Sequence, residues 1–143
     1  MATDRRAEAT WSGDLLHGKG TITKTGSGAV GPLDVTWASR AEDPQGRTSP
    51  EELIAAAHAA CYAMALSHGL AGAGTPPERL DTSATVTFVP GTGITKSALT
   101  VVGTVPGIDE AAFKEAAEKA KDGCPVSGAL KGNVELSVDA RLA

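Results

Sequence analysis

Aromatic residues are scarce in this 143-residue sequence and account for only 3% of it. Alanine, valine and leucine must therefore fill most of the core, and small side chains each bury little apolar area. A domain built in this way is expected to gain stability by oligomerising. The aromatic residues are Trp11, Trp37, Tyr62, Phe88 and Phe113.

The sequence also lacks the features that point to nucleic acid, a membrane or secretion. Its net charge is -4, and the basic residues are dispersed with no run beyond Arg5-Arg6, which argues against polyanionic partners. No apolar segment is expected to reach the ~20 residues that span a bilayer. The N-terminus is polar where a secretory signal is apolar. We therefore expect one soluble cytoplasmic domain over residues 1–143.

Cysteine is limited to Cys61 and Cys124. In the cytosol, thiol reductants keep cysteines reduced, so a pair of this kind is seldom a permanent disulfide. Such residues are catalytic, redox-active or buried as small hydrophobes.

The patterns of the chain predict an α+β fold in the order βββ-α-ββ-α-β, because strands and helices do not alternate regularly. The long helix begins at Ser49-Pro50-Glu51-Glu52, a strong helix start, and carries no charge from Leu53 to Leu70. A helix that is apolar all round is expected to be buried all round, by a sheet and by a partner subunit. The other predicted elements are strands Ala7–Ser12, Thr21–Thr25, Leu33–Ser39, Thr82–Val89, Lys96–Val105 and Val134–Leu142, helix Glu110–Lys121, and a short helical turn from Cys124 to Leu130.

Cys61 lies ten residues after Glu51, well inside the long helix. The dipole at the helix start is too remote to lower the pKa of its thiol, so a reactive Cys61 needs a cation, for which arginine is the best supply. Glu51 lies about 15 Å away along a straight helix and cannot serve Cys61 of its own helix. It can serve a cysteine across a dimer interface, or orient an arginine.

Cys124 precedes Pro125 at the start of a helical turn, where free backbone N–H groups favour a thiolate. His58, three residues before Cys61, is interpreted as a buried histidine with satisfied hydrogen bonds. A Cys–His nucleophile is the alternative. The three histidines do not show the spacing of a metal site, so no metal or cofactor is expected.

Two segments resemble the paired cysteine motifs of the OsmC/Ohr family of organic-hydroperoxide and osmotically inducible proteins. Residues 49–67 read SPEELIAAAHAACYAMALS, and residues 123–127 read GCPVS. The segments 19–21, 37–40 and 105–109 fit the OsmC branch of the family better than the Ohr branch. The resemblance covers essentially the whole chain, and two such motifs in this order are highly specific.

The resemblance implies a thiol-dependent peroxidase that forms an intertwined homodimer with an OsmC-like fold. Cys61 matches the peroxidatic cysteine and Cys124 the resolving cysteine. Arg40 matches the arginine that stabilises the thiolate, and Glu51 the glutamate that holds this arginine. Arg47 is a weaker candidate for that arginine. Tyr62 stands where the family often has phenylalanine.

The expected substrate is a small hydroperoxide, and an organic one in preference to hydrogen peroxide, because few polar residues surround Cys61. The resemblance points to a small dithiol, such as a dihydrolipoyl group, as the reductant. Two other functions remain open: a stress-induced protein that binds a small apolar ligand and has structural cysteines, and a hydrolase that uses Cys61 with His58.

Overall fold

A computed structural model describes residues 1–143, whose contacts divide into two units, Met1–Pro50 and Glu51–Ala143. The first unit contains a three-stranded antiparallel sheet in the order β1-β2-β3. Its buried side chains are Ser39 and Thr48, whereas Trp11 and Leu16 are exposed. This unit therefore has no large apolar core of its own. Its elements are β1 (Ala7–Ser12), β2 (Lys19–Thr25), β3 (Leu33–Val35) and α1 (Trp37–Ala41).

The predicted strand Leu33–Ser39 is wrong beyond Val35, because the chain turns into helix α1 there. The Thr36 hydroxyl accepts from the backbone N–H of Ser39 at 3.0 Å, and the Ser39 hydroxyl accepts from that of Thr36 at 2.9 Å. This reciprocal capping box satisfies backbone donors that a strand would have paired with a neighbour. The alternating apolar pattern of residues 33–39 did not indicate this helix.

The second unit is built on a sheet in the order β4-β5-β6, with β4 antiparallel and β6 parallel to β5. The parallel pair requires a crossover, which two helices supply. The predicted order βββ-α-ββ-α-β is confirmed apart from the additional helix α1, and the predicted short turn after Cys124 is a helix. The elements are α2 (Pro50–Gly72), β4 (Arg79–Val89), β5 (Gly93–Thr104), α3 (Glu110–Gly123), α4 (Pro125–Leu130) and β6 (Glu135–Leu142).

The core of this unit lies between the sheet and helices α2 and α3. From Ser97 to Gly103 every second residue of β5 is buried, as expected for a sheet with one covered face. The Thr82 hydroxyl on β4 donates to the Ala59 carbonyl of α2 at 3.1 Å, so the helix lies against this face. The largest core side chains are Tyr62, Leu66, Leu70, Leu99, Val101 and Phe113.

Burial of α2 within this chain is one-sided, although its composition predicts burial all round. The buried positions lie on one face of the helix, whereas Met64 is 73% exposed. In the middle of the helix the exposed positions are also apolar: Ala56, Ala57, Ala60 and Met64. Within one chain, the sheet covers one face of this helix, as the sequence predicts. No element of the same chain covers the other face. The buried positions are Glu51, His58, Tyr62, Leu66 and Leu70.

The prediction that no apolar segment is long enough to cross a membrane is wrong for α2, whose length and composition meet that requirement. Core helices of water-soluble proteins meet the same requirement. Here His58, in the middle of the helix, is hydrogen-bonded to side chains of β5 and α4. These bonds are those of a helix packed in a protein core.

The close packing of β5 on α3 can be tested at Gly103. A Cβ atom at this position would lie 2.5 Å from Cζ of the buried Phe113 ring, so Gly103→Ala should lower the free energy of unfolding by about 1–3 kcal/mol. Gly69→Ala is the matched control, because nothing lies within 4 Å of its added Cβ. In a helix interior this change should stabilise by about 0.5–1 kcal/mol. Urea unfolding of both variants measures these changes in the free energy of unfolding. Equal changes in the two variants would contradict the close packing of Gly103 against Phe113.

Candidate active site

The two cysteines come together within the second unit. Cys61 lies on α2 and is partly exposed, whereas Cys124 is 1% exposed at the junction between α3 and α4. Both are free thiols. Cys61 packs against the buried cluster that contains Cys124, and the two side chains influence each other electrostatically. Two thiols that lie 63 positions apart in the sequence are thus neighbours in the fold.

Three influences act on the ionisation of Cys61. Burial raises the pKa of its thiol, since a charged sulfur is less stable away from water. The neighbouring Cys124 side chain also raises this pKa, because a second thiol beside the sulfur disfavours its charged form. The backbone N–H of Val126 donates to the sulfur and lowers it. In this chain the net effect is a raised pKa, so Cys61 still needs a cation, as its position in the helix predicts.

The N–H groups at the start of α4 act differently from the sequence-based expectation. They are expected to favour a thiolate at Cys124, the residue that precedes the helix. Cys124 does occupy the N-cap position, but its side chain makes no capping hydrogen bond. The N–H of Val126 instead donates to Cys61 on the other helix. The start of α4 therefore favours the thiolate form of Cys61 on α2 rather than that of Cys124.

His58 is fully buried and hydrogen-bonded through both ring nitrogens. Nδ1 lies 2.6 Å from the Ser97 hydroxyl on β5, and Nε2 lies 2.8 Å from the Ser127 hydroxyl on α4. Burial lowers the pKa of the imidazole, so the ring is neutral, with one nitrogen donating and the other accepting. This confirms the interpretation of a satisfied buried histidine, and it leaves neither nitrogen available as a base for Cys61.

Tyr62 uses the hydroxyl that distinguishes it from phenylalanine. This hydroxyl donates to the Ala117 carbonyl of α3 at 3.0 Å, and the side chain is fully buried. Burial, together with the charges of Glu118 and Cys124, raises the pKa of Tyr62 far above its usual value. The residue is therefore a neutral link between α2 and α3, next to the cysteine pair.

Cys61 opens onto a cleft of about 900 Å³ between α2 and α3. Most of the wall is apolar, and the charged side chains of Asp109, Glu115 and Lys119 are also among its lining residues. A cleft of this size and character suits a small molecule with an alkyl or aryl group. Apolar residues of the wall include Met64, Ala65, Ile108, Ala112 and Ala116.

The other predicted site residues lie on different elements. Arg40 lies on α1 in the first unit and is half-buried, and Arg47 is exposed in the loop that follows. Glu51 lies in the first turn of α2 and is buried, at 5% exposure. Such low exposure is unusual for a carboxylate and indicates a structural or functional partner.

Sequence reasoning missed one group of this site, the Val126 N–H, and it also missed the two hydroxyls that bind the neighbouring His58, those of Ser97 and Ser127. The position of Ser127, three residues after Cys124, was a usable signal, since it mirrors the spacing from His58 to Cys61. Ser97 could not be found in this way, because no local pattern pairs a strand residue with a distant helix. No group of three or more His, Cys, Asp or Glu side chains is arranged to hold a metal ion.

Comparison with known families agrees with this geometry. The model of the OsmC-like protein family matches residues 42–139, which include both cysteines. The chain belongs to the OsmC family. It is 45% identical over 139 residues to the protein named peroxiredoxin OsmC of Escherichia coli (strain K12), covering 95% of this chain and 96% of that protein. The Shigella flexneri protein of the same name matches equally well.

Solved structures share the fold of this OsmC-family chain. An organic hydroperoxide resistance protein OsmC from Legionella pneumophila superposes with a TM-score of 0.70 at 24% identity, covering 95% of this chain and 96% of that one. The organic hydroperoxide resistance protein OhrB of Bacillus subtilis gives a TM-score of 0.68 at 24% identity, with 95% and 98% covered. The predicted OsmC-like fold is thus confirmed.

The influence of Cys124 on Cys61 can be measured by alkylation. Cys124→Ala removes the neighbouring thiol that raises the pKa of Cys61, so the pH midpoint of Cys61 alkylation should fall. Iodoacetamide rates between pH 6 and pH 10 (about the range in which thiols titrate), with peptide mass spectrometry, give this midpoint. Cys61→Ala is the control and should label slowly, because Cys124 is buried. A midpoint that rises in Cys124→Ala would contradict the assignment.

Proposed function

We propose that this chain is a two-cysteine thiol peroxidase that reduces organic hydroperoxides. The observation that carries the proposal is the contact between Cys61, which opens onto an apolar cleft, and the buried Cys124. Relatives at 45% identity bear the name peroxiredoxin OsmC, and structural neighbours are named organic hydroperoxide resistance proteins. The cleft can bury an alkyl tail, which favours organic hydroperoxides over hydrogen peroxide.

In the first step, the Cys61 thiolate attacks the terminal oxygen of the hydroperoxide. The O–O bond breaks and an S–O bond forms, so that Cys61 becomes a sulfenic acid and the alkoxide leaves as an alcohol after taking up a proton. The N–H of Val126 lowers the pKa of this thiol and so stabilises its anionic form. Sulfur is oxidised by two electrons, and the peroxide is reduced.

In the second step, the Cys124 thiol condenses with the sulfenic acid, releasing water and forming the Cys61–Cys124 disulfide. An external dithiol then reduces the disulfide through a mixed disulfide. Because Cys124 is buried and Cys61 faces the cleft, the dithiol attacks the sulfur of Cys61. A small dithiol of the dihydrolipoyl type fits the size of this cleft.

Arg40 and Glu51 complete the proposed site. Burial and the Cys124 thiol both raise the pKa of Cys61, and a guanidinium is the cation that remains charged when desolvated. In this proposal Arg40 supplies that charge and donates to the peroxide, while the Glu51 carboxylate orients it. Support comes from the family motifs and from the buried position of Glu51.

The proposed functional unit is an intertwined homodimer of the single domain 1–143. The exposed alanines Ala56, Ala57 and Ala60 in the first half of α2 suit a second copy of the same helix. The first unit buries no large apolar side chain in this chain, although it carries Trp11 and Leu16. Since Glu51 cannot reach Cys61 along its own helix, each site draws on both chains. Such a dimer works in the cytoplasm without a cofactor, a membrane or nucleic acid.

The peroxidase is tested with single-turnover reactions of cumene hydroperoxide. Cys61→Ser should abolish peroxide consumption because the attacking sulfur is gone. Cys124→Ser should consume one equivalent and accumulate a sulfenic acid, which dimedone traps at Cys61. The wild-type chain should lose two hydrogens on forming its disulfide, as seen by mass spectrometry.

Consumption by Cys61→Ser at the wild-type rate would show that another group reacts. An unchanged mass of the wild-type chain after one equivalent of hydroperoxide would instead support a ligand-binding protein with structural cysteines. Acylation of Cys61 by an activated ester would support the hydrolase.

The shared site is tested by complementation. Cys61→Ser and Arg40→Ala should each be inactive or severely impaired, because one lacks the sulfur and the other the cation. When the two variants are co-expressed, mixed dimers place the wild-type Arg40 of one chain beside the wild-type Cys61 of the other. About a quarter of all sites should then be active, since half of the randomly formed dimers are mixed.

Light scattering provides the control, and the mass should equal two chains for each variant. Arg47→Ala, at an exposed loop position, should keep wild-type activity. Activity no higher than the mean of the separate variants would mean that Arg40 serves the cysteine of its own chain.

A further inference from the structure

The buried hydrogen bonds of His58 connect three elements of the second unit. The ring lies on α2, Ser97 on β5 and Ser127 on α4, and all three side chains are at most 1% exposed. Buried polar groups of this kind hold their partners firmly, because breaking one bond leaves a desolvated group without a partner. No buried side-chain nitrogen or oxygen of the chain lacks such a partner. The proposed chemistry uses none of these three groups.

The bond from His58 to Ser127 runs beside the contact between the cysteines. Cys61 follows His58 by three residues on α2, and Ser127 follows Cys124 by three residues at the start of α4. Residues three apart on a helix lie on the same face, about 5–6 Å apart. The two helices are therefore joined twice, one turn apart, by a hydrogen bond and by the pair of thiols.

Helix α4 is short and partly exposed, Cys124 and Val126 at its start pack against the core, and Ser127 is its buried residue. It contains six residues, its N-cap residue Cys124 makes no capping hydrogen bond, and its exposed positions include Pro125 and Gly128. Val126, whose N–H donates to Cys61, directly precedes Ser127. A bond that holds Ser127 in place therefore also restrains the N–H of Val126 and the sulfur of Cys124.

We propose that His58 is a positioning residue, which holds the start of α4 through Ser127 so that Cys124 meets the sulfenic acid of Cys61. The inference rests on the proposed peroxidase function and adds a group to it. The step concerned is the condensation of Cys61–SOH with Cys124–SH to a disulfide and one water. Formation of the S–S bond requires the two sulfurs to approach from contact to about 2.05 Å, so a small displacement of α4 slows it.

The two serines provide a matched pair of variants. Ser127→Ala and Ser97→Ala each remove one buried hydroxyl from the same imidazole, at equal burial. Only Ser127→Ala releases the helix that carries Cys124. A purely structural role of His58 predicts similar effects of the two changes, whereas a positioning role predicts different ones.

The rate of condensation is measured by rapid mixing with one equivalent of cumene hydroperoxide, followed by dimedone trapping at successive times. In Ser127→Ala the disulfide should form about tenfold more slowly, equivalent to about 1.36 kcal/mol of barrier, and trapped sulfenic acid should increase accordingly. Ser97→Ala should stay within about twofold of wild type, on the scale of a minor change in barrier. Equal slowing in both variants, or slowing in neither, would overturn the proposal.

A second measurement separates this inference from the peroxidase. Equilibration with reduced and oxidised glutathione reports the stability of the Cys61–Cys124 disulfide without any peroxide. Ser127→Ala should lower its equilibrium constant about tenfold, and Ser97→Ala should leave it unchanged. If the wild-type chain fails to react with hydroperoxide but shows this difference, the peroxidase fails and the positioning role stands. If the two variants give equal constants, the positioning role fails.

Discussion

The contact between α2 and the start of α4 is the constraint on which the site depends. Two side chains of α2, His58 and Cys61, meet two residues of the α3–α4 junction, Ser127 and Cys124. The histidine cannot stay buried without its hydroxyl partners, so the fold must bring this short helix against the long one. Once that contact forms, the two cysteines are neighbours. No sequence signal near either cysteine brings them together.

The same burial that brings the thiols together opposes their chemistry. Removing Cys61 from water raises the pKa of its thiol, and a second thiol beside it raises the pKa further. One backbone N–H, that of Val126, works in the opposite direction. With both thiols held together in this way, a nearby positive charge is needed to form the reactive thiolate. For this reason the proposed enzyme involves Arg40 and a second chain.

Local signals in the sequence predicted much of the fold. Pro50 after Ser49 and the two glutamates mark the start of α2, Asp109 marks that of α3, and Pro125 marks that of α4. Each of these residues acts through backbone groups only a few residues away, so a short stretch of sequence contains the whole interaction. Helix α1 escaped prediction because a hydrogen-bonded pair of small hydroxyl residues outweighed an extended pattern. The sheet that the sequence predicts beside α2 is confirmed, whereas a partner subunit on its other face stays a prediction.

By itself, the sequence determined the class of the fold and the family, and its motifs singled out the two cysteines as candidate site residues, since these follow from periodicity and from two specific motifs. Only the tertiary structure decided that Cys61 and Cys124 touch, that the N–H of Val126 serves Cys61, and that His58 joins Ser97 and Ser127. The physical reason is range. Helix caps and alternation act within a few residues, whereas contacts between residues 39 to 69 positions apart arise from packing of the whole unit.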